Sequence, residues 1–122
     1  MFGGLALAAA AALAIPPALQ GCWQLDDPDH GDHHATLHIS AHQLVERADW
    51  RSATVTVRIE RIDRATATRV EGLMSYPESG GLATFATGLS LGPDGLGTPL
   101  GKLRVSEGDA GSRWYRRCPA KG

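Results

Sequence analysis

After Pro17, apolar and polar residues alternate with a period of two, the pattern of strands with one face buried. In SATVTVRIE, Val55, Val57 and Ile59 alternate with Thr54, Thr56, Arg58 and Glu60, and the β-branched content suits a pleated surface. HATLHIS repeats this, with Leu37 and Ile39 inward and His34, Thr36, His38 and Ser40 outward. QLVERA follows a short polar turn and reads as its hairpin partner. TATRVEGLMS is the next strand, expected to start after a turn near Asp63-Arg64, and Pro77, Gly80 and Gly81 then interrupt the chain. LATFATGLSL, LGKLRVSE and RWYRRC complete the series, separated by Gly92-Pro93-Asp94-Gly95 and EGDAGS. With CWQLD at the front, that makes eight short strands at near-regular spacing, and no helix signal competes after residue 20. The expectation is an all-β domain, an eight-stranded antiparallel up-and-down barrel or, failing closure, a sandwich.

The opening segment is of another kind. Leu5 to Ile15 is an unbroken apolar run, nearly all Ala and Leu, that ends at Pro16-Pro17, and no charge occurs before Asp26. A membrane span needs about 20 apolar residues. The run has the length of a secretory signal core, although no Lys or Arg precedes it. Residues 1–19 are therefore expected to be a cleaved signal peptide and 20–119 the barrel domain, exported to the periplasm or cell envelope. Two processing sites fit the pattern. Ala12-Leu13-Ala14 would release a chain starting at Ile15, whereas Leu19-Gln20-Gly21-Cys22 resembles a lipobox that would anchor Cys22 in the outer membrane.

Two cysteines, Cys22 and Cys118, stand at the ends of the mature region. An even count in an exported chain favours a disulfide, with lipidated Cys22 and a free Cys118 thiol as the alternative. Closing an eight-strand meander pairs the first and last strands antiparallel. With Cys22 opposite Cys118, Trp23 faces Arg117 and Leu25 faces Tyr115, on the face away from the cysteines. The indole would then lie under a guanidinium, a cation–π pair. The net charge of −1 provides no basic field, so nucleic acid is not an expected partner. The acidic residues 26–32 and the basic C-terminus are expected to lie side by side.

Gly21-Cys22-Trp23 with a terminal Arg-rich strand resembles the lipocalin-like (calycin) barrels. Their first strand carries Gly-x-Trp, and an Arg from the end of the barrel packs over the Trp, here Arg117 or Arg116. The resemblance covers the two ends and the strand count. It implies a small exported barrel whose interior is either filled by side chains or holds one small apolar molecule. The long strands, trailing helix and mid-chain Thr-Asp-Tyr of the larger members are missing.

All five histidines lie within DDPDHGDHHATLHISAH. His30, His34, His38 and His42 recur every four residues, but Leu37 and Ile39 around His38 make this a strand. His34 and His38 would then be about 13 Å apart, too far for one ion. The tighter set is the loop group His30, Asp32, His33 and His34, whose N and O donors suit zinc, copper or nickel. At a barrel mouth these histidines would instead respond to pH near about 6.5. No nucleophile elbow, phosphate loop or His-Glu-x-x-His is present. Glu46, Glu60 and Glu71 are expected on the outer face, and Trp50 and Trp114 as packing or rim residues. The chain reads as a non-enzymatic barrel with a small-ligand or structural envelope role. The alternative is an envelope metal-binding protein that uses the histidine-aspartate loop.

Overall fold

A computed structural model describes residues 14–51 and 53–119, with the backbone alone for His30; most of the expected signal peptide lies outside the described residues. Eight antiparallel strands close into an up-and-down barrel in chain order. They are β1 (Gly21–Leu25), β2 (Ala35–Ile39), β3 (Gln43–Ala48), β4 (Val55–Ala65), β5 (Arg69–Glu78), β6 (Gly81–Leu91), β7 (Leu103–Glu107) and β8 (Ser112–Arg117). The closing pair β1–β8 has the expected register, Trp23 opposite Arg117 and Leu25 opposite Tyr115. The fold class and strand order are those the alternation predicts.

Two boundaries differ. The chain does not turn at Asp63-Arg64: β4 continues to Ala65, and the turn sits at 66–68, where the Thr66 N–H donates to the Arg69 carbonyl at 2.8 Å. The register shifts between Ile59 and Arg61 and again between Ile62 and Arg64. A bulge adds a residue to one strand of a pair. Here it returns Ile62 to the core three positions after Ile59, a spacing that plain alternation would place on opposite faces. Gly72 sits across from this irregularity, and a Cβ there would collide with the Arg61 carbonyl oxygen. Similarly, β5 does not break at Pro77. It runs to Glu78, beyond its last pairing with β4 at Ser75, so Pro77 lies in a stretch paired only with β6.

The interior is filled from both sheet halves. Leu37, Ile39, Leu44, Val70, Met74, Leu89, Leu103 and Val105 form its body, with Trp23 and Tyr115 as its largest buried side chains. One barrel end is closed by the chain that precedes β1. Ile15, ahead of the 3-10 turn Pro17–Leu19, and Leu19, the last residue of that turn, are 1% and 0% exposed and belong to the core. The Trp23 indole N–H donates to the Leu19 carbonyl at 2.9 Å, and the Ile15 N–H donates to the Ala41 carbonyl at 2.9 Å. The packed unit thus extends upstream of the expected start at residue 20.

Over this plug lies Arg117. Its guanidinium is 4.0 Å from the centre of the Trp23 ring and donates to the carbonyls of Ala18, at 2.7 Å, and Gln20. Arg116, the alternative, is on the outside of the barrel and exposed. Cys22 and Cys118 form a disulfide with a Cα–Cα separation of 5.4 Å, outside the barrel as the alternation requires. Neither described cysteine is a free thiol.

Candidate functional site

Four loops surround the other end of the barrel: 26–34, 49–54, 79–80 and 108–111. Strand alternation directs charged side chains into the interior just beneath them. Glu46 follows Leu44 and precedes Ala48 on the inward face of β3 and is 4% exposed. It does not lie on the outer face as expected; Leu44 and Ala48 fix the phase of β3, and period two then carries Glu46 inside. Glu60 and Glu71 are outside. Glu60 accepts the Ser75 hydroxyl at 2.5 Å, and Glu71 pairs with Arg69 at 2.9 Å.

Glu46 is charge-compensated by residues from other elements. Arg51 Nε, from the loop after β3, lies 2.6 Å from Glu46 Oε1, and Arg113, inward on β8, lies 3.5 Å from Oε2. Arg113 pairs more closely with Glu107 of β7, at 2.6 Å, and its Nε donates to the Tyr115 hydroxyl at 3.1 Å. Burial pushes the Tyr115 phenol up to about 12, because the phenolate would be stranded in the interior, although Arg113 works against the shift. Aromatic rings frame the two arginines. Arg51 lies 5.6 Å from the Tyr76 ring centre and Arg113 5.8 Å from that of Trp50. Trp50 is thus a rim residue.

Within this frame the barrel retains a void of about 20 Å³. Leu37, Leu44, Val57, Met74, Phe85 and Val105 supply its apolar lining, and Glu46, Arg51, Tyr76, Thr87 and Glu107 its polar lining. One water needs about 10–15 Å³. The void therefore admits a water and nothing larger while these side chains stay in place. The Thr87 hydroxyl is buried on its wall with no hydrogen-bond partner. Larger hollows, of about 370, 550, 360 and 220 Å³, are open grooves on the outer wall.

The histidine loop reaches the same rim. His33 Nδ1 is 3.2 Å from Asp49 Oδ1, the His34 N–H donates to Asp49 Oδ2 at 3.0 Å, and the His33 ring meets Trp50 edge-on at 5.6 Å. Chiefly the His34 N–H holds the Asp49 carboxyl below its ordinary range. Asp49, which the sequence did not single out, thus clamps the β1–β2 loop to the β3–β4 loop. Asp32 is exposed, the side chain of His30 lies outside the described residues, and His38 projects outward from β2. Among the described residues no three His, Cys, Asp or Glu side chains converge as a metal site. The acidic loop is instead tied to the last part of the chain: Asp26 pairs with Lys102, just ahead of β7, at 3.1 Å, and Asp27 accepts the Trp114 N–H of β8 at 3.1 Å. No family model, curated protein or solved structure matches the chain.

Proposed function

We propose that this chain is an exported, non-enzymatic, lipocalin-like barrel of the cell envelope that takes a small apolar molecule at its mouth, not in a deep central pocket. The observation that carries the reading is the water-sized, partly apolar void beside the ion-paired side chains of the mouth. Eight strands leave room for side chains or for one small ligand. Here Trp23, Tyr115 and Met74 occupy the lower interior, which leaves the mouth as the place a guest would enter.

The Cys22–Cys118 disulfide fits an oxidising compartment. No helix among the described residues is long and apolar enough to cross a membrane. A cysteine sulfur held in a disulfide is not available for a lipid thioether, which favours the disulfide form of the exported protein over the lipid-anchored one.

Native mass spectrometry and solvent extraction of protein purified from its own host test the reading. A stoichiometric small apolar molecule is the expected result. Protein that carries none, and that shows no shift of mouth resonances with small apolar probes, would leave only a structural role.

A further inference from the structure

We propose that the mouth recognises a small organic cation, an ammonium or guanidinium head on a short apolar body, and that Arg51 is the chain's own occupant of that position. The proposal rests on the mouth-binding reading and names the ligand class. A buried carboxylate beside an aromatic ring is cation-recognition chemistry. Glu46 supplies the carboxylate and Tyr76 the ring, and Arg51 lies against both.

The cluster has two acids and two bases, but they divide into close pairs. Arg113 belongs to Glu107 at 2.6 Å and reaches Glu46 only at 3.5 Å. Arg51 belongs to Glu46. The two arginines also differ in how they are held. Arg113 projects from β8 and its side chain is 19% exposed, whereas Arg51 comes from the 49–54 loop and its side chain is 31% exposed. Arg51 is therefore the more exposed of the two, with its Nε buried against Glu46 and the rest of its head nearer the water. Once it leaves, the mouth holds one uncompensated negative charge above Leu44, Met74 and Phe85, with the unpartnered Thr87 hydroxyl on the wall. An anionic head would face Glu46 and Glu107 and is disfavoured; a neutral one would leave Glu46 buried and undercompensated.

The test uses n-butylammonium, n-butanol and butyrate, titrated into the wild type, Arg51→Ala and Arg51→Ala/Glu46→Gln, followed by NMR shifts of Thr87 and its neighbours. Arg51→Ala should bind butylammonium at least tenfold more tightly than butanol, and Glu46→Gln in that background should erase the preference. The wild type should keep the same ligand order at weaker affinity. Equal binding of butanol, or tighter binding of butyrate, would overturn the cation inference and leave the apolar mouth site standing. No binding of any probe by a cooperatively folded Arg51→Ala protein would overturn both.

A second inference comes from the opposite end and rests on export. The geometry points to cleavage of the exported chain between Ala14 and Ile15, after Ala12-Leu13-Ala14. Cleavage before Gln20 or Cys22 would remove Ile15 and Leu19 from the core, the Leu19 acceptor of the Trp23 indole, and the Ala18 acceptor of Arg117. Cleavage before Ile15 keeps all of these. It also converts the Ile15 N–H that reaches Ala41 into an ammonium, a stronger donor. N-terminal sequencing and intact mass of the exported protein should find Ile15 first and a mass two hydrogens below the reduced chain. A start at Gln20 or Cys22, or an uncut disulfide-bonded chain in the envelope, would overturn the inference; an uncut, reduced chain in the cytoplasm would overturn export itself.

Discussion

Replacing Glu46 by Ala removes the carboxylate on which two arginines converge. Breaking a fully buried ion pair from one side costs about 3–5 kcal/mol, because the partner charge is stranded. The geometry lowers that figure here. Arg113 keeps Glu107 at 2.6 Å, and Arg51, with a side chain 31% exposed, can turn into water. What remains is the loss of charged hydrogen bonding and the hole left by the side chain, for a net of about 2–3 kcal/mol. With a urea m-value of about 1.5 kcal/mol/M, the midpoint should fall by about 1.3–2 M. The companion Glu46→Leu/Arg51→Leu exchanges the pair for apolar volume and should return to within about 1 kcal/mol of the wild type. Equilibrium urea unfolding followed by tryptophan fluorescence measures both. A Glu46→Ala cost below about 0.5 kcal/mol would mean that the cluster is solvated and screened, which refutes the buried-pair argument. A double variant as unstable as the single one would place the cost in packing instead of charge.

Three further outcomes follow from the same structure. Cys22 and Cys118 are 96 residues apart, so Cys22→Ser/Cys118→Ser should lose about 4–5 kcal/mol in the chain-entropy model; denaturant curves with and without reductant on the wild type should show the same gap. Asp94 anchors the β6–β7 loop through the Ser90 and Thr98 hydroxyls, each at 2.6 Å, and the Leu96 N–H at 2.8 Å, so Asp94→Ala should cost about 2–3 kcal/mol in thermal or urea unfolding. Burial pushes the Asp94 carboxyl up, but these bonds outweigh it and hold the group well below its ordinary 3.8; its contribution should be complete above that pH and shrink as pH falls below it. Because Tyr115 is pushed up to about 12, its share of stability should be full below 10 and drain away between 10 and 12, seen as an ultraviolet tyrosine titration that merges with alkaline unfolding.

Much of this molecule is legible in its residue pattern. Period-two alternation specifies all eight strands, and one assumed pairing, Cys22 with Cys118, yields the Trp23–Arg117 and Leu25–Tyr115 register. Local alternation could not locate the β4 bulge. An inserted residue reverses the phase of every position after it, and only the cross-strand partner around Gly72 shows where that happens.

The mouth was half legible. Continuing toward the mouth from Leu44, Val105 and Tyr115 by two residues reaches Glu46, Glu107 and Arg113, so three inward-facing charges were implied by the same rule that found the core. Reading charge as outward-facing concealed them. The conspicuous histidines drew attention to a loop whose His33 ring engages Asp49 and Trp50 and whose His34 reaches Asp49 through its backbone N–H.

By itself, the sequence determined the strand phase up to the β4 bulge and, once Cys22 is set against Cys118, the register of the paired ends, because both depend on side-chain direction along an extended chain. Only the tertiary structure decided how full the barrel is, that Ile15 and Leu19 plug it, and that Arg51 and Glu46 meet across its mouth. Those facts depend on distances between segments remote in the chain, which closure of the sheet sets and no local pattern records.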